Sequence, residues 1–438
     1  MPSDTAPDYK STVFLPKTAF SMKAGLPQLE PKLLERWANL NLYQRQRDAS
    51  SGKPKFVLHD GPPYANGHLH IGHALNKILK DVIVRSRQMM GFDAPYVPGW
   101  DCHGLPIEWK IEEQYRAKGQ SKDSIPAVEF RRECREFAAK WIDVQRAEFK
   151  RLGVAGDWDN PYTTMAFASE AAIVRELAKF VLGGNLYRGA KPVLWSVVEK
   201  TALADAEVEY ADHTSTTVWV RFPVASTKVD ALEGHHIVIW TTTPWTLPGN
   251  RAIAYGHDID YAVVEVNAVN EKSLAQVGER FAVAEALREV TLKSAGVTDA
   301  ATVATCKGAD FAGTVCRHPW HGKGYDFDVP MLAGGFVTTE QGTGFVHIAP
   351  GHGEDDYELG RANNVPVPET VNGDGLYVES VPLFAGEHVF KVDPKVVAAL
   401  KDAGALLAQG KLQHSYPHSW RSKAPLIFRN TPQWFISM

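Results

Sequence analysis

The stretch FVLHDGPPYANGHLHIGHALNKILK, residues 56–80, constrains this chain more than any other. It opens with three apolar residues, Phe56-Val57-Leu58, that read as a short buried strand. Turn formers follow at Asp60-Gly61-Pro62-Pro63 and Asn66-Gly67. Leu75, Ile78, Leu79 and Val82 then recur at the spacing of an amphipathic helix. Strand, glycine-containing loop and helix N-terminus together aim backbone N–H groups and a positive dipole end at an anion. His70 and His73 stand at that mouth, where they could donate to phosphoryl oxygens, and Gly72 lets a ligand approach the backbone closely. Three histidines within six positions (His68, His70, His73) also permit a metal cluster, but no carboxylate or cysteine stands nearby at a matching ligand spacing. Histidines that only cap the helix are the plain structural alternative.

At 438 residues the chain has length for two or three domains. A net charge of −4 gives no global basic footprint, so a nucleic acid would have to meet local positive patches. No apolar run approaches a membrane span, and the first ten residues lack the basic and apolar regions of a signal peptide. The cysteines Cys102, Cys134, Cys306 and Cys316 form no C-x-x-C pair and fit reduced thiols. A cytoplasmic setting with no membrane partner is expected.

Residues 1–28 read as a polar, proline-punctuated arm, and 31–47 as a packing helix. Residues 88–109, rich in glycine, proline and aromatics, read as a loop at the edge of an α/β sheet, where ligands collect. Helical patterns return at 125–151 and 169–182. From about 195 to 350 short β-rich runs dominate, among them Thr217–Val220, Ile237–Trp240, Tyr261–Val264 and Gly344–His347, with some helix at Ala282–Val290. A helix is expected near 395–409. The chain stops on Phe435-Ile436-Ser437-Met438 in mid-pattern, so an incomplete last domain is expected.

The run GPPYANGHLHIGHALNKILKD followed by PYVPGWDCHGLPIE resembles the class I aminoacyl-tRNA synthetases, within them the bacterial isoleucine enzymes. The HIGH signature of that family stands intact at His70-Ile71-Gly72-His73. The resemblance implies an α/β fold, with a HIGH-type Rossmann nucleotide-binding domain interrupted by a β-rich, barrel-like editing insertion. The implied division is an N-terminal arm and helix over 1–50, the first half of the catalytic domain over 51–195, the editing insertion over 196–400 and a return to the catalytic domain over 401–438. The implied reaction joins isoleucine and ATP into isoleucyl-adenylate, then transfers the amino acid to tRNA(Ile). The substrate carboxylate is itself the nucleophile, so the protein has to position reactants and stabilise charge. By resemblance, His70, Gly72 and His73 bind ATP, with the two histidines catalytic. Asp101 takes the substrate ammonium, and Gly61 and Pro62 wall the amino-acid pocket. Mg2+ would accompany ATP, held mainly by phosphates. A monomer is expected.

A second constellation, Trp240-Thr241-Thr242-Thr243-Pro244-Trp245-Thr246-Leu247-Pro248-Gly249-Asn250, would pass for a β-edge if it stood alone. With Gly342-Thr343-Gly344-Phe345-Val346-His347 and Pro350-Gly351-His352-Gly353-Glu354-Asp355-Asp356-Tyr357 it resembles the family's editing site, which hydrolyses mischarged valyl-tRNA(Ile). Carried over by position, Asp356 would hold the wrong amino acid's ammonium. Thr241, Thr242, Thr243 and Asn250 would bind the ester, the ribose and the attacking water, with Trp245 in the same motif. His347 would line the pocket and exclude isoleucine.

The chain departs from the family in two respects. The second signature, KMSKS, is absent; the nearest strings, Ser21-Met22-Lys23 and Ser121-Lys122, stand in the wrong part of the chain. Members often carry C-x-x-C pairs at two places that bring zinc, and the matching positions here read Ser196-Val197-Val198-Glu199 and Ser419-Trp420-Arg421-Ser422. Without thiolates no zinc is expected. The expected function is an isoleucine–tRNA ligase incomplete for activation; the alternative is a stand-alone deacylase of mischarged tRNA.

Overall fold

The computed structural model describes residues 9–14, 18–19 and 23–437, so much of the expected arm, and Met22 of the nearest KMSKS-like string, lie outside the described residues. The chain divides into two units, Met1–Leu182 and Gly183–Met438.

In the first unit the helix expected over 31–47 is two helices, α1 (Leu26–Asn39) and α2 (Leu42–Ala49), broken where Asn41 adopts a left-handed φ of 47°. The helix of the HIGH segment, α3, runs Ile71–Met89. The expected strand before it is reduced to one parallel bridge, Lys55 to Asp93, and Val57 is 71% exposed. Further parallel contacts join Tyr64 to Asp101, and β1 (Gly99–Trp100) to β2 (Tyr162–Thr163). Around them lie α4 (Leu105–Ala117), α5 (Ala127–Arg151) and α6 (Phe167–Leu182). Tyr96, Trp100, Ile107, Ile142, Phe149 and Trp158 form the core.

The apolar stripe of α3 faces outward: Leu75, Ile78, Leu79 and Val82 are 59, 43, 54 and 57% exposed, and the buried positions of the helix are Lys77 and Val84. The periodicity identified the helix correctly, but its greasy face is uncovered within this unit.

The second unit begins with β3 (Leu186–Ser196) and β4 (Thr201–Ala202), then β5 (Val208–Ser226), β6 (His236–Thr241), β7 (Ala252–Tyr255), β8 (Asp260–Val269) and β9 (Arg280–Ala284). A short helix, α7 (Arg288–Ser294), leads to β10 (Val297–Lys307), β11 (Val315–Arg317), β12 (Asp328–Ala333) and β13 (Phe345–Ile348). The chain continues through α8 (Glu354–Ala362), α9 (Asp393–Asp402), β14 (Leu406–Ser419) and β15 (Ile427–Ile436). Ten strands make one sheet in the order β10-β8-β9-β6-β5-β11-β12-β7-β13, with β14 also paired to β5; β15, β3 and β4 make a smaller one. Inward residues alternate along β5 and β6, so Val218, Val220, Phe222, Ile237 and Ile239 reach the core with none of their surface exposed. The chain is thus mixed α/β with one large, mainly antiparallel sheet.

The helix expected over Ala282–Val290 starts later, because Arg280–Ala284 pairs as β9. The helix expected to 409 stops at Asp402: Gly404 turns left-handed (φ 67°) and Leu406 enters a long strand. That strand pairs with β5 from Leu406 to Ser419, and β15 pairs with β3 from Ile427 to Ile436. These ladders group residues 401–438, and β3 with them, in the second compact unit, which begins at Gly183. Among the described residues no helix is long and apolar enough to cross a membrane.

Candidate functional site

In the first unit α3 is capped by His70, whose Nδ1 accepts from the Gly72 N–H at 3.1 Å, while the His70 N–H donates to His73 Nδ1 at 3.3 Å. The two imidazoles stack with centroids 3.8 Å apart. The capping alternative is therefore real. It spends only the Nδ1 atoms, and the Nε2 edges are the groups that could meet a ligand. Partial burial, then the neighbouring His70 and Lys77, hold the His73 pKa below its usual range. A Cβ at Gly72 would sit 2.9 Å from the His70 ring, so any larger residue there would displace the imidazole from its capping position.

The loop ahead of the helix is clamped by α5. Gln145, wholly buried, donates to the carbonyls of Tyr64 and Gly67 at 3.0 and 2.7 Å and accepts from Trp100 Nε1 at 2.9 Å. Glu148 takes the Leu69 N–H at 3.0 Å and lies 2.5 Å from His68 Nδ1, so the His68 ring is engaged by a hydrogen bond to α5. Below the loop Asp60 accepts from Lys80 at 2.6 Å, from the Gly99 N–H at 3.0 Å and from the buried Lys77. Burial opposes ionisation of Asp60, but the two ammonium groups and the N–H outweigh it and hold its carboxyl below the usual range.

Asp101 lies beside this loop: its N–H donates to Pro63 O at 2.9 Å and its carbonyl accepts from Ala65 at 3.0 Å. Its carboxylate accepts the His103 N–H at 3.3 Å. Pro62 packs on Gly99, where an added Cβ would approach to 3.2 Å, and Gly61 is open. His70 lines a shallow hollow of about 520 Å³ with Leu69, Ile71, Ala74, Ala147, Glu148, Arg151 and Leu152; Asp101 is not in its wall. The loop thus brings Asp101 next to the segment leading into His70, but no cavity described here joins the two.

The second unit holds a better-formed site. A cavity of about 300 Å³ is lined by Thr241, Thr242, Thr243 and Thr246 from the end of β6 and the turn after it, by Phe345, Val346 and His347 of β13, and by His352 and Asp356 at the start of α8. Trp240, Phe336, Thr338, Gln341, Gly342, Gly344 and Ala349 complete the wall. Thr241 and Thr243 share a hydroxyl contact of 3.2 Å, and Thr246 Oγ1 lies 2.8 Å from His347 Nε2 and donates to Thr243 O at 2.9 Å. Asn250 Nδ2 donates to His347 Nδ1 at 3.3 Å. These bonds fix the tautomer: Nδ1 accepts, so Nε2 carries the proton and donates to Thr246. Burial, then His352, pushes His347 down to about 4, and burial likewise puts His352 at about 4. Both rings are neutral at physiological pH.

Asp356 sits in the first turn of α8 and accepts the Ala349 N–H at 2.8 Å. Burial raises its pKa to about 7, against the pull of that N–H and helped by Asp355. Gly353 leaves room for this carboxyl, since a Cβ there would come within 3.1 Å of the Asp356 carboxyl carbon and press it aside. The arrangement offers neutral hydroxyls, neutral imidazoles and one carboxylate poised between its two states. It can hold an ammonium group and orient a water, with no protein nucleophile.

Two residues expected at this site stand behind it. Asn250 is fully buried, donates to Ala252 O at 2.9 Å and to His347, and does not line the cavity, so it positions the histidine rather than touching an ester. Trp245 is 6% exposed and packs on His352 with ring centroids 4.9 Å apart. Sequence reasoning overlooked Thr246 and His352 as wall residues, although both lie inside the motifs it singled out.

Among the described residues no three His, Cys, Asp or Glu side chains converge as a metal-binding group. The positions that the resemblance connects with zinc do meet, but as Ser196, Glu199, Ser419 and Ser422. One carboxylate among hydroxyls does not fit that ion, which takes thiolate and imidazole.

The family model for tRNA synthetases class I (I, L, M and V) matches residues 32–438. The chain is 56% identical to the isoleucine–tRNA ligase of Pelagibacter ubique over 98% of its own length and 47% of the relative's. It is 54% identical to that of Gluconobacter oxydans over 98% of its length and 46% of the relative's. A solved LeuRS–tRNA–LeuAMS complex from Agrobacterium radiobacter aligns over 93% of this chain and 49% of its own at 18% identity, with a TM-score of 0.36. The chain spans about half the length of the curated relatives it matches. With the family model matched across both units, the chain belongs to the class I tRNA synthetases of the I, L, M and V group.

Proposed function

We propose that the chain is the HIGH-bearing and proofreading portion of an isoleucine–tRNA ligase. The whole reaction would be ATP-dependent activation of isoleucine, transfer to tRNA(Ile) and hydrolysis of valyl-tRNA(Ile). The observation that carries this reading is the cavity that gathers Thr241, Thr242, Thr243, His347 and Asp356 in a chain so similar to isoleucine–tRNA ligases. One methylene in an apolar pocket is worth only about 1–3 kcal/mol, a limit for which isoleucine against valine is the standard instance. A second, smaller hydrolytic site answers that limit. In it Asp356 takes the ammonium, the threonine hydroxyls hold the ester and ribose, and neutral His347, locked by Thr246 and Asn250, sets the wall that isoleucine meets.

In the first unit the Nε2 edges of His70 and His73 would face ATP, whose phosphates hold Mg2+, with Gly72 opening the backbone, Gly61 and Pro62 beside the amino acid and Asp101 at its ammonium. The short parallel contacts at Lys55, Tyr64 and Gly99–Trp100 support a nucleotide-binding α/β sheet in the making. The uncovered stripe of α3 supports completion of this sheet by sequence corresponding to the other half of the relatives. One observation favours the second reading, a deacylase acting in trans: the hydrolytic cavity is built wholly from residues 240–356 of the second unit.

The test is to incubate the chain with valyl-tRNA(Ile) and, separately, to follow isoleucine-dependent ATP–pyrophosphate exchange. Deacylation lost in Asp356→Ala, with exchange far below that of a full-length relative, is the expected result. Exchange at a full-length rate would refute the claim that the first unit needs completing, and no deacylation would refute the assignment of the cavity.

A further inference from the structure

The turn after β3 and the turn after β14 are two copies of one shape. In the first, the Lys200 N–H closes on Ser196 O at 2.8 Å; in the second, the Lys423 N–H closes on Ser419 O at 2.9 Å. Lys200 and Lys423 both adopt left-handed backbone, with φ of 55° and 59°. The Glu199 N–H donates to Ser196 Oγ at 3.1 Å, and the Ser422 N–H reaches Ser419 Oγ at 3.4 Å. Each turn thus carries a side chain at its first position and another three residues later, the spacing at which paired turns grip a tetrahedral ion.

The turns face each other. Glu199 Oε1 accepts from Ser419 Oγ at 2.8 Å and from the Ser422 N–H at 3.1 Å, across more than two hundred residues of chain. Ser196, Glu199 and Ser419 are 0, 1 and 0% exposed. Glu199 Oε2 is buried without a hydrogen-bond partner among the described residues, so the connection runs through one oxygen. A surface carboxylate would contribute little here, but a charge-assisted bond out of water is among the stronger ones.

We infer that Glu199 is a metal-free clip: its carboxylate, bonded to Ser419 and Ser422, does between these two turns the mechanical work that a bound zinc would otherwise do. The clip joins the ends of β3 and β14, and so fixes the entry to β15, which pairs with β3 from Ile427 to Ile436. It is independent of the ligase reading, because it concerns only how the second unit is held together.

The test uses the full chain. Purified wild type should contain no stoichiometric zinc, and its melting temperature should not move with a strong chelator. Glu199→Ala and Ser419→Ala should each lower that temperature by at least about 4 °C, and the double variant should melt no lower than Glu199→Ala alone, since both remove one connection. Should Glu199→Ala yield no folded chain, Glu199→Gln, which keeps an acceptor oxygen but gives up the charge, should melt below wild type by at least about 2 °C, and a Glu199→Gln chain as stable as wild type would overturn the inference. The combined variant Ser196→Cys, Glu199→Cys, Ser419→Cys, Ser422→Cys should bind one zinc per chain and become chelator-sensitive. Stoichiometric zinc in wild type, a chelator-dependent melt of wild type, a Ser419→Ala chain as stable as wild type, or a four-cysteine variant without zinc would each overturn the inference.

Discussion

Asp356 offers the sharpest handle on the proposed hydrolytic site. Its carboxyl must be ionised to hold an ammonium, yet burial sets its pKa at about 7. Near pH 7 roughly half the sites are competent, and each unit below costs about tenfold, or about 1.4 kcal/mol. His347 and His352 titrate near 4 and stay neutral across that window, so the acid limb belongs to Asp356. The substrate amine loses its own proton above about 7.7–8, which imposes a second limb and makes a narrow bell. The assay is kcat/KM for valyl-tRNA(Ile) hydrolysis from pH 5.5 to 8.5, corrected for the spontaneous reaction. Asp356→Asn should abolish the acid limb and lower the maximum by about ten- to hundredfold, the worth of one charge-assisted contact of about 1.5–3 kcal/mol. The stability sign is opposite. A carboxyl whose folded pKa is raised favours the folded state at low pH, and that contribution is lost as pH rises through about 7. An acid limb near 4 in the wild type, or a limb near 7 that survives in Asp356→Asn, would refute this account of the pocket.

Two structural predictions follow from the same reasoning. Lys77→Met strips one of two ammonium partners from buried Asp60 and should destabilise the first unit by about 3 kcal/mol in urea titrations, with Lys80 limiting the loss. Gly344→Ala would place a Cβ 2.4 Å from that of Ala284 at a φ of 81°, so about 2–4 kcal/mol should be lost in the same measurement; a loss under about 1 kcal/mol would show that the strand end relaxes freely.

Much of the architecture could be read from local pattern. Helical spacing placed α3, α5 and α6, and the density of β-branched residues marked the second unit. What local pattern cannot carry is which face is covered: the Leu75–Val82 stripe identifies α3 as a helix, and only the surrounding elements decide whether that stripe is buried. The helix at Asp393 was overrun because Leu406 and Leu407 continue an apolar stripe, while the left-handed Gly404 and the long pairing with β5 pull them into a strand.

For the candidate site, the threonine run and the His347 and Asp356 motifs were legible because turn residues and clustered polar groups are unusual so close together. Their meeting depends on β13 lying against β7, a pairing of residues almost a hundred positions apart, so the division between wall and backing was hidden. Asn250 fits either role by chemistry, and only its complete burial decides. Ser196, Glu199, Ser419 and Ser422 were legible as missing thiols, not as a connection, because a carboxylate and a serine declare nothing until two distant turns face one another.

The central claim is that the cavity between Thr241 and Asp356 hydrolyses an aminoacyl ester and rejects the larger side chain. The measurement that reaches it most directly is the rate of deacylation of valyl-tRNA(Ile) relative to isoleucyl-tRNA(Ile) by the wild-type chain. One excluded methylene should favour the valyl ester by at least about tenfold. Equal rates, or faster loss of the isoleucyl ester, would contradict it.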